Sequence, residues 1–320
     1  MTRIRELDAL RGFAVGGIML VNTWQHTEKE PPTGVDWTIE ALFQSRFYPI
    51  FSMLFGISFL LFLRNNSRWA LLSRLFWLLC LGLIQRTWYE GEVLTDYAFW
   101  GAVVLLPASF MAGGLPVLLL GLAGVAWALM PGVGGGAMLI PGLFLIGMGV
   151  WRLEPSRRLL LPGFAVTALT TVLLTGFWLD VAHLRPDAWF DFAHTWLVYS
   201  LAALAGAAAY SLGLVLALRP WSSAALEPLG KMALTNYVSG TVVIVMAAPM
   251  LDSDATRWSV VALAAATVIA QALISRWWLA RFRYGPLEWA WRCLTWLRPV
   301  PNRLESGRDQ NRPLSDPGVP

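Results

Sequence analysis

Leu159-Leu-Leu-Pro-Gly-Phe-Ala-Val-Thr-Ala-Leu-Thr-Thr-Val-Leu-Leu-Thr-Gly-Phe-Trp-Leu179 runs 21 residues without a charge, with Arg157 and Arg158 before it and Asp180 after it. About 20 apolar residues in a helix cover about 30 Å of hydrocarbon, so this stretch reads as a membrane span. The rest of the chain agrees. Of its 320 residues, 57% are hydrophobic and 14% charged, with 18 Trp and 16 Phe; soluble domains carry about 25% charge. An ordinary cytosolic enzyme and a disordered chain are both excluded. The apolar residues come in blocks rather than in alternating runs of about ten, which argues against a lipid-facing barrel. The expected fold class is all-α, a polytopic transmembrane helical bundle.

Ten blocks can be read as spans: Leu7–Trp24, Phe43–Leu63, Ala70–Gln85, Tyr97–Ala112, Leu115–Met130, Ala137–Trp151, Leu159–Leu179, Phe192–Leu218, Leu229–Met250 and Trp258–Ala280. Gly113-Gly114 with Pro116, and Pro131 with the glycines after it, supply the tight turns between the shorter ones. An eight-span reading is the alternative. Loop charges favour ten. With the N-terminus inside, Arg3, Arg5, Arg64, Arg68, Arg152, Arg157, Arg158, Arg219 and Lys231 fall on the inner side. Glu28, Glu30, Asp36, Glu40, Glu90, Glu92, Asp96, Asp180 and Asp252 fall outside. Merging the fourth and fifth blocks would put Arg152, Arg157 and Arg158 outside, against the positive-inside rule.

Both termini are therefore expected in the cytoplasm. The formal charge of +4 marks an orientation, not a nucleic-acid partner. Arg3 and Arg5 before an apolar stretch imitate a signal peptide, but Asp8 and Arg11 interrupt that stretch and no small-residue cleavage site follows. Residues 1–298 read as one transmembrane domain, with a motif-bearing part at 1–112, scaffold spans at 113–218 and a C-terminal signature region at 219–298. Residues 299–320, rich in Pro and Arg, read as a disordered cytoplasmic tail. Cys80 and Cys293 have no metal-like spacing, and phosphate-loop, dinucleotide and zinc signatures are absent, so no metal is expected.

Ionisable and amide groups inside a membrane are costly, so their placement points to function. Blocks five to seven hold no charged residue and read as scaffold. In the first block Asp8, Arg11 and Asn22 share one face, because eleven residues at 3.6 per turn bring Asn22 over Arg11 at about 16 Å along the axis. Asp8 is placed to pair with Arg11, and Gly12 with Gly16 lets another helix approach closely. The alternative for Arg11 is a side chain reaching the inner interface beside Asp8. Gln85 ends the third block, and Glu92 and Asp96 follow in an acidic loop that can bind a cation, steer a basic acceptor or supply a general base. A solvated acidic loop explains them equally. Asn236 and Tyr237, two turns into the ninth block, need a polar partner or a substrate. Of the three histidines, His26, His183 and His194, His26 follows Asn22 by one turn and is the candidate base. Each histidine also suits a plain surface position. Pro286 can open a helix that brings Trp289, Arg292, Cys293 and Trp296 to helical spacing, an aromatic and basic anchor at the inner interface.

Arg5-Glu-Leu-Asp-Ala-Leu-Arg-Gly-Phe-Ala-Val-Gly-Gly-Ile-Met-Leu-Val-Asn22 resembles the opening of the YeiB-like membrane proteins, and Phe51-Ser-Met-Leu-Phe-Gly56 resembles the motif of their second helix. Leu229-Gly-Lys-Met-Ala-Leu-Thr-Asn-Tyr237 and the stretch from Ser275 to Trp289 resemble their C-terminal signature. That family is grouped by similarity with transmembrane acyltransferases such as heparan-α-glucosaminide N-acetyltransferase and the O-antigen O-acetylases. In the O-acetylases an Arg is followed on the same helix by a catalytic His; Arg11 matches the Arg and Asn22 stands at the His. YeiB-like relatives carry Gly-Leu-Leu-His and Gly-Asp-Ile-Leu where this chain has Gly82-Leu-Ile-Gln85 and Gly91-Glu-Val-Leu94.

The resemblance implies an acyltransferase of a bacterial-type inner membrane, with cytoplasmic acyl-CoA as co-substrate and a small-molecule, glycan or lipid acceptor reached from outside. His26, Asn22, Gln85, Glu92 and Asp96 would do the chemistry; Asp8, Arg11, Asn236, Tyr237 and Lys231 would bind substrate, with Arg281 as a further helper for the donor phosphates. The lipid bilayer is the expected partner, and a second copy of the chain is a further one. A transporter for a small cationic solute and a catalytically degenerate membrane scaffold are the alternatives.

Overall fold

The computed structural model describes residues 2–27, 31–181, 192–218 and 224–304. Glu28, Glu30, His183, Arg219 and the stretch 305–320, all used above, lie outside these residues. The long helix α1 (Thr2–His26) leads to the short α2 (Gly34–Leu42), then α3 (Phe47–Leu63) and α4 (Arg68–Arg86). A bent segment follows, made of α5 (Leu94–Trp100), a wide turn over Gly101–Leu105, and α6 (Leu106–Ala108). Pro107 explains the bend, since it has no N–H to continue the helical ladder. Next come α7 (Leu115–Ala128), α8 (Leu139–Leu153), α9 (Leu160–Leu179) and α10 (Phe192–Ala217). The remainder holds α11 (Leu226–Lys231), α12 (Ala233–Ser253), α13 (Trp258–Leu279) and α14 (Pro286–Trp296).

Among the described residues there is no strand, only an isolated antiparallel bridge between Phe282 and Arg303. Seven helical stretches among them are long and apolar enough to cross a membrane, and Leu94–Ala108 and Leu115–Ala128 form two shorter apolar ones. The chain is a helical membrane protein. Residues 299–304, expected to open an unstructured tail, instead lie along the end of α13: Arg283 N–H donates to the Asn302 carbonyl at 2.8 Å and Leu304 N–H to the Arg281 carbonyl at 3.0 Å.

Helix α1 sits at the centre, against α3, α10, α11, α12 and α13. Lipid offers no hydrophobic gain for joining apolar helices, so close contact between small residues must hold the bundle. The α3–α8 crossing shows this. A methyl group on Gly56 would overlap the Phe144 carbonyl, and one on Gly147 would overlap the Met53 carbonyl. Phe55, Phe144 and Tyr97 stack beside the crossing, and Tyr97 shares a 2.7 Å hydrogen bond with Ser52.

Two buried arginines tie the His26 end of the bundle together. Arg257 donates from Nε to Asp36 Oδ1 at 2.9 Å, and from its other nitrogens to the carbonyls of Trp24 and Thr27 and to the Thr27 hydroxyl. Carbonyls at a helix C-terminus lack intrahelical donors; this guanidinium supplies them for α1. Asp36 is held in turn by the Trp24 indole at 2.7 Å and by Thr33, with which it forms a reciprocal cap on α2. Arg46 donates to the carbonyls of Glu40 and Gln44 and, at 3.2 Å, to the Thr175 hydroxyl of α9, with its stem against Gly206 of α10. Thr175 and every one of these Arg257 partners lie more than a hundred residues away in sequence, which no local pattern reveals.

Removing one member of a buried ion pair strands the other charge and costs about 3–5 kcal/mol. Arg257→Met and Asp36→Ala are each expected to lower thermal stability in detergent by that order, with the double variant less damaged than the sum. At the next turn the Asp254 carboxylate accepts from the Ser259 N–H and from Thr256, which holds its carboxyl well below the usual carboxylate range. A depressed acid stabilises above its unfolded value, about 3.9, and loses that effect as pH falls through the folded one. Asp254→Asn is therefore expected to reduce thermal stability at pH 7 and to make no difference in strong acid.

Candidate functional site

At the N-terminal end of α1 the backbones of α1 and α11 meet. A methyl on Gly12 would overlap the Leu226 carbonyl, and one on Gly230 would overlap the Asp8 carbonyl. With both chains that close, Arg11 is directed away from α11 towards α3. Its guanidinium donates to Asp8 Oδ1 at 3.0 Å and to the Ser58 hydroxyl at 2.7 Å. Ser58 is thus a partner of Arg11. Lys231 is exposed and pairs loosely with Glu227 at 3.9 Å, while Arg281 lies over Trp277 at 4.5 Å. Neither touches Arg11.

The signature segments interlock beside this end. Glu288 of α14 accepts the N–H groups of Leu234 and Thr235 at 2.8 and 3.0 Å and the Thr235 hydroxyl at 2.6 Å. These are orphan donors of the first turn of α12, so one helix caps another. Burial pushes the Glu288 carboxyl up, while the Thr235 hydroxyl and these N–H groups oppose the rise. Gly285 has no substitute here, because a methyl would overlap the Glu288 carboxylate. Asn236 Nδ2 donates to the Leu229 carbonyl and to Ser275 Oγ, both at 3.1 Å, fastening α11 and α13 to α12. Its amide nitrogen is fully engaged within the protein.

Higher along α1, Asn22 faces a narrow cleft of about 10 Å³, room for about one water molecule. Val15, Met19, Asn236, Tyr237 and Thr241 are among its walls. Gln85 borders it: fully buried on α4, it donates from Nε2 to Thr241 Oγ1 at 3.0 Å, and its Oε1 has no hydrogen-bond partner. The Tyr237 hydroxyl accepts the Val93 N–H at 3.3 Å. Glu92 folds back onto α4 at Gly82, with Oε2 accepting the Thr95 N–H at 3.0 Å. Past the cleft, His26 is exposed and stacks on Tyr89 at 5.9 Å between centroids. Tyr89 packs with Met19 and Ile244 of the cleft wall.

The structure therefore gathers Asn22, Asn236 and Tyr237 around one cleft, with Gln85 and Glu92 on its borders and His26 beyond its mouth. Arg11 and Asp8 stand at the opposite end of α1. Asp96 is half-buried and faces Glu92 and Arg86 electrostatically, without lining the cleft. Residues that the sequence did not single out include Ser58, Thr241, Tyr89 and Glu288; only the signature match hinted at Glu288.

Overpacking a tight crossing costs about 1–3 kcal/mol and sometimes more. Gly230→Ala is expected to lower the unfolding temperature and to free Arg11 from Ser58, readable as a loss of thermal stability that Ser58→Ala does not deepen. An imidazole N–H can replace the Gln85 amide donor to Thr241, so Gln85→His is expected to fold with near-native stability, whereas Gln85→Leu is expected to lose about 1 kcal/mol with that hydrogen bond, the Thr241 hydroxyl keeping its bond to the Val238 carbonyl at 2.8 Å.

Comparison with known proteins adds the following. The family described as "Protein of unknown function (DUF418)" matches residues 148–298. An "Uncharacterized 39.9 kDa protein in amylase 3'region" of Bacillus acidopullulyticus is 31% identical over 355 aligned positions, covering 96% of this chain and 98% of the relative. The "Uncharacterized protein YeiB" of Escherichia coli (strain K12) is 26% identical, over 92% of this chain and 97% of its own length. No solved structure matches. With a relative at this identity along nearly its whole length, and the signature region where the motifs placed it, the chain belongs to the YeiB-like DUF418 family of membrane proteins.

Proposed function

We propose that this protein is an integral-membrane acyltransferase of a bacterial-type inner membrane, with ten spans and both termini in the cytoplasm. It moves an acyl group, acetyl in the simplest case, from cytoplasmic acyl-CoA to an acceptor at the outer side. One observation carries the reading. The single helix α1 presents Arg11 at one end, held by Asp8 and Ser58, and delivers Asn22 to a polar cleft and His26 to its mouth. About 22 Å of helix axis separates the two ends, so one element joins a donor-binding end to an acceptor end.

Arg11 binds the phosphates of the thioester donor through its planar fork, with Lys231 adding charge at the same end. Asn22, with Gln85 behind Thr241, polarises the acyl oxygen, and Asn236 and Tyr237 shape the wall. His26 takes the proton of the acceptor hydroxyl or amine as that atom bonds to the thioester carbon. The C–S bond then breaks, and the thiolate leaves with the proton returned by His26. Glu92 and Asp96 attract a basic acceptor to the mouth.

Membranes carrying the protein are expected to consume labelled acetyl-CoA in the presence of an extract of cell-envelope acceptors. Loss of a general base costs about 100-fold or more in rate, so His26→Ala should lower kcat by that order, while Arg11→Gln should raise KM for the donor. Gradient-coupled solute movement without donor turnover would instead establish a transporter. Absence of turnover together with an unchanged cellular phenotype for Arg11→Ala would leave a degenerate scaffold.

A further inference from the structure

Two guanidinium groups near the Arg11 end donate no hydrogen bond to any described residue. Arg74 of α4 lies over the Trp291 ring at 3.6 Å and over Phe62 at 5.1 Å. Trp291 locks this arrangement by donating its indole N–H to the Arg74 carbonyl at 2.8 Å, and Ser73 donates to the Thr295 carbonyl at 3.0 Å. The next residue of α14, Arg292, lies over the Tyr284 ring at 4.3 Å. Arg74 is within electrostatic reach of both Arg292 and Arg11. The carboxylate in the same reach, Glu288, is committed to the first turn of α12.

Stacking uses the face of a guanidinium, whereas its N–H donors lie in its plane. Aromatic rings therefore hold Arg74 and Arg292 without consuming a single donor. Like charges gathered in a partly desolvated place destabilise one another unless an anion completes them. A tetrahedral oxyanion suits several planar forks at once. We propose that Arg74 and Arg292, with Arg11 beside them, bind the phosphate of a phosphate ester at this end of the bundle. The source is either an anionic phospholipid headgroup or a soluble phosphate ester; the recognition chemistry is the same. The assignment stands on these side chains and not on acyl transfer.

The test uses the full chain purified in a neutral detergent. Coenzyme A probes the soluble source and phosphatidylglycerol the lipid source, each titrated while binding heat and unfolding temperature are followed. Saturable binding of at least one is expected, and whichever saturates identifies the source. Arg74→Gln and Arg292→Gln should each weaken it about tenfold or more. Arg157→Gln, which removes an exposed cation paired with Glu6 near the start of α1, should leave it unchanged. Arg74→Lys keeps the charge but loses the fork, and is expected to fold and bind more weakly, so the test survives a misfolded glutamine variant. No saturable binding of either probe would overturn the site. Equal weakening by Arg157→Gln, or native binding by Arg74→Lys, would reduce it to diffuse charge and overturn it as well. Binding that persists while donor turnover is absent would remove the acyl-transfer reading and leave this site intact.

Discussion

The contact of Gly12 with Gly230 is the constraint around which the Arg11 end is arranged. Neither residue has a side chain, so α1 and α11 touch backbone to backbone and their axial positions are fixed together. That contact sets where α11 stops and α12 begins, at the turn before Ala233. The exposed N–H groups of α12 then require acceptors, and Glu288 supplies them from α14. With α14 so placed, Trp291 meets Arg74 and Thr295 meets Ser73 on α4. A short run of van der Waals contact thus passes its geometry through four helices by way of hydrogen bonds that cannot be made elsewhere in hydrocarbon.

The far end obeys the same rule by other means. Helix α1 finishes with carbonyls that need donors, and a guanidinium from the start of α13 provides them while pairing with Asp36. At each end, then, a charged side chain from a distant segment completes the backbone of a helix terminus. The middle needs no such device, because its groups are satisfied within the helices. Between the ends the polar residues of the cleft are mostly paired, with the Gln85 oxygen left as an open acceptor.

Much of the fold was legible because a span announces itself by length and lack of charge. Eight of the ten apolar blocks each fall on one helix, while the fourth covers α5 to α6 and the ninth joins the end of α11 to α12, and the Asp8–Arg11 pair sits at the spacing that suggested it. Asn22 could be placed on a stripe because helical periodicity is rigid over three turns. What stayed hidden were partners joined only by tertiary structure. Ser58 looks like any small residue of a packed helix until Arg11 arrives from another one. Arg292 counted as an anchor of an interface and Arg74, inside the third apolar block, was not singled out, since nothing local says that their rings and donors would be separated. Arg46 and Arg257 are buried completely, by segments that their own neighbours in sequence do not announce.

The pair α9 and α10 differs from the rest in how it is attached. The two helices pack chiefly against each other, and the central part of α9 faces outward throughout. Polar contacts to the body of the protein gather at residues 42–46: Arg46 reaches Thr175 and presses on Gly206, the Tyr210 hydroxyl donates to the Leu42 carbonyl at 2.7 Å, and the Tyr199 hydroxyl donates to Ser45 Oγ at 3.4 Å. Such a hairpin can enter the bilayer and close on itself before it finds the other helices, since helix insertion and helix association are separable events. Docking is then a late step of biogenesis. The bilayer surrounding that hairpin, more than the interior of the bundle, sets how firmly α9 and α10 are held in place.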